Sequence, residues 1–159
     1  MKKKVLFVCL GNICRSPSAE AVFKYLIQEK NVAGEYKVDS AGTSAWHKGE
    51  PADPRMKAHA RKRDIELTSV SRPVIPETDF DHFDYIVAMD TDNLRDLKEM
   101  APGKAYWKKL FLMTDFSSHH HYHGVPDPYY SGPEGFELVL DLLEDAAEGF
   151  YAFTQNHQE

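Results

Sequence analysis

VLFVCLGNICRSPSAEAVFKYLI, residues 5–27, runs through three kinds of sequence in succession. Val5 to Cys9 is a continuous apolar run rich in β formers, the pattern of a strand buried on both faces. The short segment that follows contains Gly11 and Asn12, residue types that tolerate left-handed backbone angles and let a chain curl. Ser16-Pro17, a hydroxyl followed by proline, predicts a helix start. Ala19, Val22, Phe23, Leu26 and Ile27 then fall on one helical stripe. The reading is strand, tight loop, helix.

The same alternation continues along the chain. Tyr36 to Ala41 predicts a strand closing at Gly42, and Asp53-Pro54 predicts a capped helix to about Arg63. Tyr85 to Met89 reads as a third buried strand, with Thr91 as cap of a short helix carrying Leu94 and Leu97. Leu110 to Met113 is a fourth strand. Ser131-Gly-Pro133 opens a long helix with Phe136, Val139, Leu140, Leu143, Ala147 and Phe150 on one face. The expectation is a single α/β domain over residues 1–159: a four-stranded parallel sheet with helices on both faces and a phosphate-binding loop after strand 1. In such sheets the working crevice lies beyond the carboxyl ends of the strands, where residues 9–16 fall.

Bulk properties narrow the function classes. A chain of 159 residues can build a core without disulfides or metals. A net charge of −6 argues against a nonspecific nucleic-acid binder, so any affinity for phosphate has to be built locally. The two cysteines, Cys9 and Cys14, make neither a zinc site nor a disulfide framework, which points to a reducing compartment such as the cytoplasm. The apolar run after Lys2-Lys-Lys4 is six residues long, shorter than the roughly 7–15 of a signal peptide. No run reaches the ~18 residues of a membrane span, and no membrane partner is expected.

The chemistry concentrates in Cys9-Leu-Gly-Asn-Ile-Cys-Arg-Ser16. A curled loop at a helix N-terminus aims several N–H groups at one point, where the helix dipole favours an anion. The amides of Leu10, Gly11, Asn12, Ile13 and Cys14 would serve, and Arg15 adds a fork that grips two phosphate oxygens. Such a field also favours thiolate over thiol, making Cys9 a candidate nucleophile. A leaving phenolate needs a proton, and Asp127, between Pro126 and Pro128, is a carboxyl on a stiffened loop. Trp46, Tyr129 and Tyr130 are candidate walls for an aromatic ring.

These residues resemble the low-molecular-weight protein tyrosine phosphatase family. The likeness spans Val8 to Pro17, Asp39-Ser-Ala-Gly42, Asp53-Pro-Arg55, Phe83-Asp-Tyr85, Met89-Asp90 with Asn93, and Asp127-Pro-Tyr-Tyr130. The resemblance implies Cys9 as nucleophile, Arg15 as phosphate clamp and Asp127 as general acid. It also implies that Ser16 bonds the Cys9 sulfur, that Asn12 and Ser40 brace the loop, that Ile13 lines the pocket, and that Cys14 can form a reversible disulfide with Cys9. The substrate implied is phosphotyrosine in a protein or peptide, with inorganic phosphate as product and no cofactor, while the short core fold suggests a monomer. Many members carry a histidine shortly before the arginine matching Arg72. Thr68-Ser-Val-Ser71 has none here, and Ser69 is the expected substitute.

Three rivals share this scaffold. An arsenate reductase relays oxidation through further cysteines, and this chain has no third thiol. A phosphoarginine phosphatase tends to have threonine where Ile13 stands. An inactive phosphate-binding module would be expected to lose Cys9 or Asp127. His119-His-His-Tyr-His123 reads as a solvated loop rather than a metal centre, because its spacing matches no defined site.

Overall fold

The computed structural model describes residues 2–157. Four strands, β1 (Lys3–Cys9), β2 (Tyr36–Gly42), β3 (Tyr85–Ala88) and β4 (Leu110–Leu112), form one sheet in the order β2-β1-β3-β4. Every pairing is parallel, with Val5 opposite both Val38 and Tyr85. Five α-helices among the described residues accompany it: α1 (Arg15–Glu29), α2 (Pro54–Arg61), α3 (Asp79–His82), α4 (Thr91–Met100) and α5 (Pro133–Asn156). The expected four-stranded α/β architecture is present.

Alternation along β1 divides the core in two. Val5, Phe7 and Cys9 join the cluster built from α1, α2 and α5, while Leu6 and Val8 join Phe80, Phe83 and Leu97 beneath α3 and α4. Both faces are therefore covered, which is why β1 is apolar without a break. On the first face, Phe7, Phe23 and Phe150 meet with centroids 5.4 to 5.9 Å apart, and Tyr36 and Tyr85 extend the group edge-on. Such offset and edge contacts suit the aromatic quadrupole. The six residues predicted for the α5 stripe are all buried.

Two helix starts differ from the sequence reading. α1 begins at Arg15 rather than at a Ser16 cap, because the Ser16 hydroxyl turns inward to Cys9 instead of bonding its own helix. α4 is capped by Asp90, whose Oδ1 accepts from the Asn93 N–H at 2.7 Å, rather than by Thr91. Asp53 caps α2 as predicted, accepting from the Arg55 N–H at 2.8 Å.

The strand order places the topological switch between β1 and β3, since the chain leaves β1 for one neighbour and later returns to its other side. The loop after β1 opens there. Facing it is the segment that follows Phe116, anchored from α5. The Asp145 carboxylate accepts from the backbone N–H groups of Ser118, His119 and His120 at 2.9 to 3.0 Å, and meets the His120 imidazole at 2.9 Å. Burial opposes its charge, but these donors outweigh burial and bring its pKa down to about 2. The folded pKa lies below the unfolded value, so this contribution is present above pH ~4 and is lost as pH falls through about 2. Asp145→Asn is expected to cost roughly 2 kcal/mol near neutrality, with the gap to wild type closing by about pH 2 in urea unfolding at stepped pH.

Candidate active site

Residues 9–15 curl at the carboxyl end of β1, and the curl is fixed at Asn12, which takes φ 56°. A non-glycine residue there needs support from its surroundings. The Asn12 Nδ2 donates to Ser16 Oγ at 2.7 Å and to Ser40 Oγ at 3.0 Å, while its Oδ1 accepts from the Arg72 N–H at 3.0 Å. Ser71 Oγ donates to the Gly11 carbonyl at 2.9 Å, and the Ile13 carbonyl accepts from the Asp53 N–H at 2.9 Å. Gly42 lets β2 lie close beneath: a Cβ there would stand 2.7 Å from the Leu10 carbonyl oxygen.

The curl surrounds the Cys9 sulfur with donors. The Asn12 N–H reaches Sγ at 3.3 Å and Ser16 Oγ lies 3.1 Å from it. Since Asn12 Nδ2 gives its proton to Ser16 Oγ, the Ser16 hydroxyl proton has two acceptors in reach, the sulfur at 3.1 Å and the Ala41 carbonyl at 3.4 Å. Among the described residues, no backbone carbonyl accepts from the N–H groups of Gly11, Ile13, Cys14 or Arg15. Those donors and the first turn of α1 make an anion-binding concavity. Burial, Asp53 and Cys9 all push the neighbouring Cys14 thiol far up, so it stays protonated at neutral pH.

Arg15 is almost wholly buried at the edge of this concavity. Its Nη1 donates to Asp90 Oδ2 at 2.5 Å and to the Val125 carbonyl at 3.1 Å, while Nη2 stands 3.8 Å from Asp127 Oδ2. Burial opposes the guanidinium charge, but Cys9 and Asp90 more than offset it and the pKa rises. One end of the fork is thus tethered, and the other lies between Cys9 and Asp127. The Asp127 side chain is half exposed, with Oδ1 accepting from the Tyr129 N–H at 3.1 Å.

A cavity of about 260 Å³ opens above the sulfur between Ile13, Asp127 and Tyr129. Leu10, Gly11, Cys14 and Arg15 complete its floor, and Trp46, His47 and Tyr130 its mouth. Tyr129 is held by the Arg55 guanidinium, 5.2 Å from its ring centroid, and Arg55 is in turn held by Asp53 at 2.8 Å. Trp46 and Tyr130 are 79% and 95% exposed, so they stand at the rim rather than as packed walls.

The structure therefore brings Cys9, Arg15 and Asp127 to one cavity, with Leu10, Gly11, Ile13, Cys14, Trp46, Tyr129 and Tyr130 around it. Asn12 and Ser16 lie beneath the loop instead of lining the cavity. Ser40 Oγ accepts from Asn12 Nδ2. Ser69 does not: the serine that bonds the loop is Ser71, two residues closer to Arg72, and the Arg72 backbone N–H takes the Asn12 oxygen. His119–His123 forms no metal-holding group among the described residues, and His120 is engaged with Asp145.

The profile of the low molecular weight phosphotyrosine protein phosphatase family matches residues 4–159. The chain belongs to that family. It is 40% identical over 155 residues to the low molecular weight protein-tyrosine-phosphatase YfkJ of Bacillus subtilis, covering 98% of this chain and 97% of the relative. It is 42% identical over 149 residues to the human low molecular weight phosphotyrosine protein phosphatase, covering 93% of each. A crystal structure of protein tyrosine phosphatase from Entamoeba histolytica superposes with a TM-score of 0.94 at 47% identity, covering 97% of both chains.

Two supports of this phosphatase-family site had no role in the sequence reading: Asp90, quoted there only as part of the family likeness, and Glu20. Asp90 serves two elements at once, capping α4 with Oδ1 and tethering Arg15 with Oδ2. Glu20, buried on α1, accepts from Ser40 Oγ at 2.6 Å and meets Lys24 at 2.6 Å. With its proton committed to Glu20, Ser40 Oγ has to accept from Asn12, so Glu20 sets the direction of the chain of bonds that ends at Cys9. Glu20→Ala leaves that hydroxyl without its buried acceptor and is expected to cost about 1–3 kcal/mol in urea unfolding. Glu20→Gln keeps an acceptor oxygen and is expected to cost less.

Proposed function

We propose that this chain hydrolyses protein phosphotyrosine through a phosphocysteine at Cys9. The observation that carries the reading is the Cys9 sulfur at the floor of a cavity, ringed by uncommitted amide N–H groups and Arg15, with the Asp127 carboxyl across the opening. The dianion binds in the concavity, its equatorial oxygens held by the loop amides and the free end of the Arg15 fork. Cys9 Sγ attacks phosphorus, the bond to the phenolic oxygen breaks, and the Asp127 carboxyl gives that oxygen its proton. Asp127, now ionised, takes a proton from water as the water oxygen attacks phosphorus. The P–S bond breaks, phosphate leaves, and the sulfur returns as thiolate, stabilised by the Asn12 N–H and the Ser16 hydroxyl.

Ring selectivity follows from Ile13 and Tyr129, which give the cavity apolar walls above the sulfur. Trp46 and Tyr130 at the rim contact the peptide around the phosphotyrosine rather than the ring alone. All these groups come from one chain, which suits a monomer. No helix among the described residues is long and apolar enough to cross a membrane. Two free cysteines suit a reducing compartment such as the cytoplasm. Under peroxide, Cys9 would pass to sulfenic acid, and Cys14 would displace water from it to close a disulfide. Because Cys14 is held as the thiol, that closure is slow unless the loop opens.

Turnover of phosphotyrosine, phosphoserine and phosphoarginine peptides, with a chelator present, tests the reading. Phosphotyrosine is expected to be preferred, Cys9→Ser to abolish turnover, and Asp127→Ala to lower kcat about 10²–10⁴-fold. Preference for phosphoarginine would refute the reading of Ile13, and an unchanged Asp127→Ala rate would remove the acid from its role.

A further inference from the structure

The end of the sheet opposite the cavity, where the strands begin, is rich in lysine. β1 and β2 start side by side, with Lys4 opposite Lys37, which brings Lys2, Lys3, Lys4 and Lys37 together. Across the sheet, a 3-10 turn over Lys104–Lys109 leads into β4 and presents Lys104, Lys108 and Lys109. Lys98, near the end of α4, joins them through Trp107. The indole N–H donates to the Lys98 carbonyl at 3.2 Å, and the Lys98 and Lys104 ammonium groups stand 5.3 and 5.6 Å from the ring centroid.

The short helix α3 links the two groups of lysines. Lys37 Nζ lies 3.0 Å from His82 Nε2, Lys109 Nζ donates to the Phe80 carbonyl at 2.8 Å, and the Tyr106 hydroxyl donates to Asp81 at 2.7 Å. Burial and then the charges of Lys37 and Lys4 lower the pKa of the His82 ring between them.

Eight of the thirteen lysines thus gather at one pole of a chain whose net charge is −6. The carboxylates nearest in sequence or touching the pole are Glu35, Asp39, Asp81, Asp84, Asp96 and Glu99. Of these, Asp81 is taken by the Tyr106 hydroxyl and Asp84 by the Lys4 backbone N–H. Among the described residues, none of the eight lysines is within 4.0 Å of a carboxylate oxygen, although Lys24 and Lys30 elsewhere both are.

We propose that this lysine pole adsorbs reversibly on an anionic lipid surface, leaving the catalytic cavity turned outward. Three features favour lipid over nucleic acid or an acidic protein. Every cation in the set is lysine, a hydrated point charge without the bidentate fork of arginine, which suits a diffuse potential better than specific phosphate or carboxylate recognition. Trp107, 37% exposed among the ammonium groups, is the side chain that settles at headgroup level. The remaining surface carries the excess negative charge and is repelled, so the chain approaches an anionic plane in one orientation. The absence of a spanning segment, which led the sequence reading to expect no membrane partner, does not bear on adsorption of this kind. Charge without a lipid chain gives attachment that salt reverses.

Co-sedimentation of the full chain with phosphatidylcholine vesicles, with and without phosphatidylserine, tests this. Binding is expected only with phosphatidylserine at low salt, and is expected to vanish at 1 M salt, where the Debye length is about 3 Å. The exposed triple substitution Lys98→Glu, Lys104→Glu and Lys108→Glu is expected to lower the partition coefficient at least tenfold, with hydrolysis of a soluble aryl phosphate unchanged. Lys48→Glu with Lys57→Glu and Lys62→Glu, away from the pole, is the charge-matched control and is expected to bind more strongly than the pole variant. No binding to phosphatidylserine vesicles at low salt would overturn the proposal, as would undiminished binding by the pole variant. Binding to an RNA oligonucleotide or polyglutamate in place of vesicles would overturn it too.

Discussion

The left-handed turn at Asn12 is the constraint on which the site depends. One side-chain amide ties it to three elements: Ser16 on α1, Ser40 on β2 and the backbone at Arg72. Without those bonds a non-glycine residue at φ 56° would relax, and the amides around Cys9 would no longer converge. The buried Glu20 secures the far end of the arrangement, and Gly42 permits the approach of the Leu10 carbonyl that a side chain would block. The nucleophile is placed by packing and hydrogen bonds well removed from it.

A second interaction joins that turn to the acid loop. Arg15 bonds both Asp90, which caps α4, and the carbonyl of Val125, two residues before Asp127. The Val125 N–H returns to the Met89 carbonyl at 2.7 Å, so the acid loop is fastened to the end of β3. The guanidinium is therefore structural on one side and open on the other. That division lets a buried cation serve a substrate: Asp90 compensates its charge and fixes its direction before any phosphate arrives.

Much of this was legible because local pattern and global fold agree. The apolar run of β1 records burial on two faces, and the α5 stripe is a 3.6-residue period matched to a single core. Cys9, Arg15 and the loop between them are contiguous, so their relation needs no tertiary knowledge. Asp90 and Glu20 were not legible as supports, because each acts through partners in other elements, 75 residues away for Arg15 and 20 for Ser40. The Ser16 cap failed for a related reason: a hydroxyl at a helix start has a local use, and the Cys9 sulfur outcompeted it. Ser69 failed by register, since the extended segment before Arg72 points Ser71 at the loop instead.

The covalent intermediate is the central claim, and rapid acid quench of a phosphotyrosine peptide reaction followed by peptide mass spectrometry tests it most directly. The account predicts a transient phosphoryl group on the peptide containing Cys9, longer-lived in Asp127→Ala if the same carboxyl activates the hydrolytic water. A phosphoryl group on another residue, or turnover with no phosphoenzyme at any quench time in either protein, would contradict it.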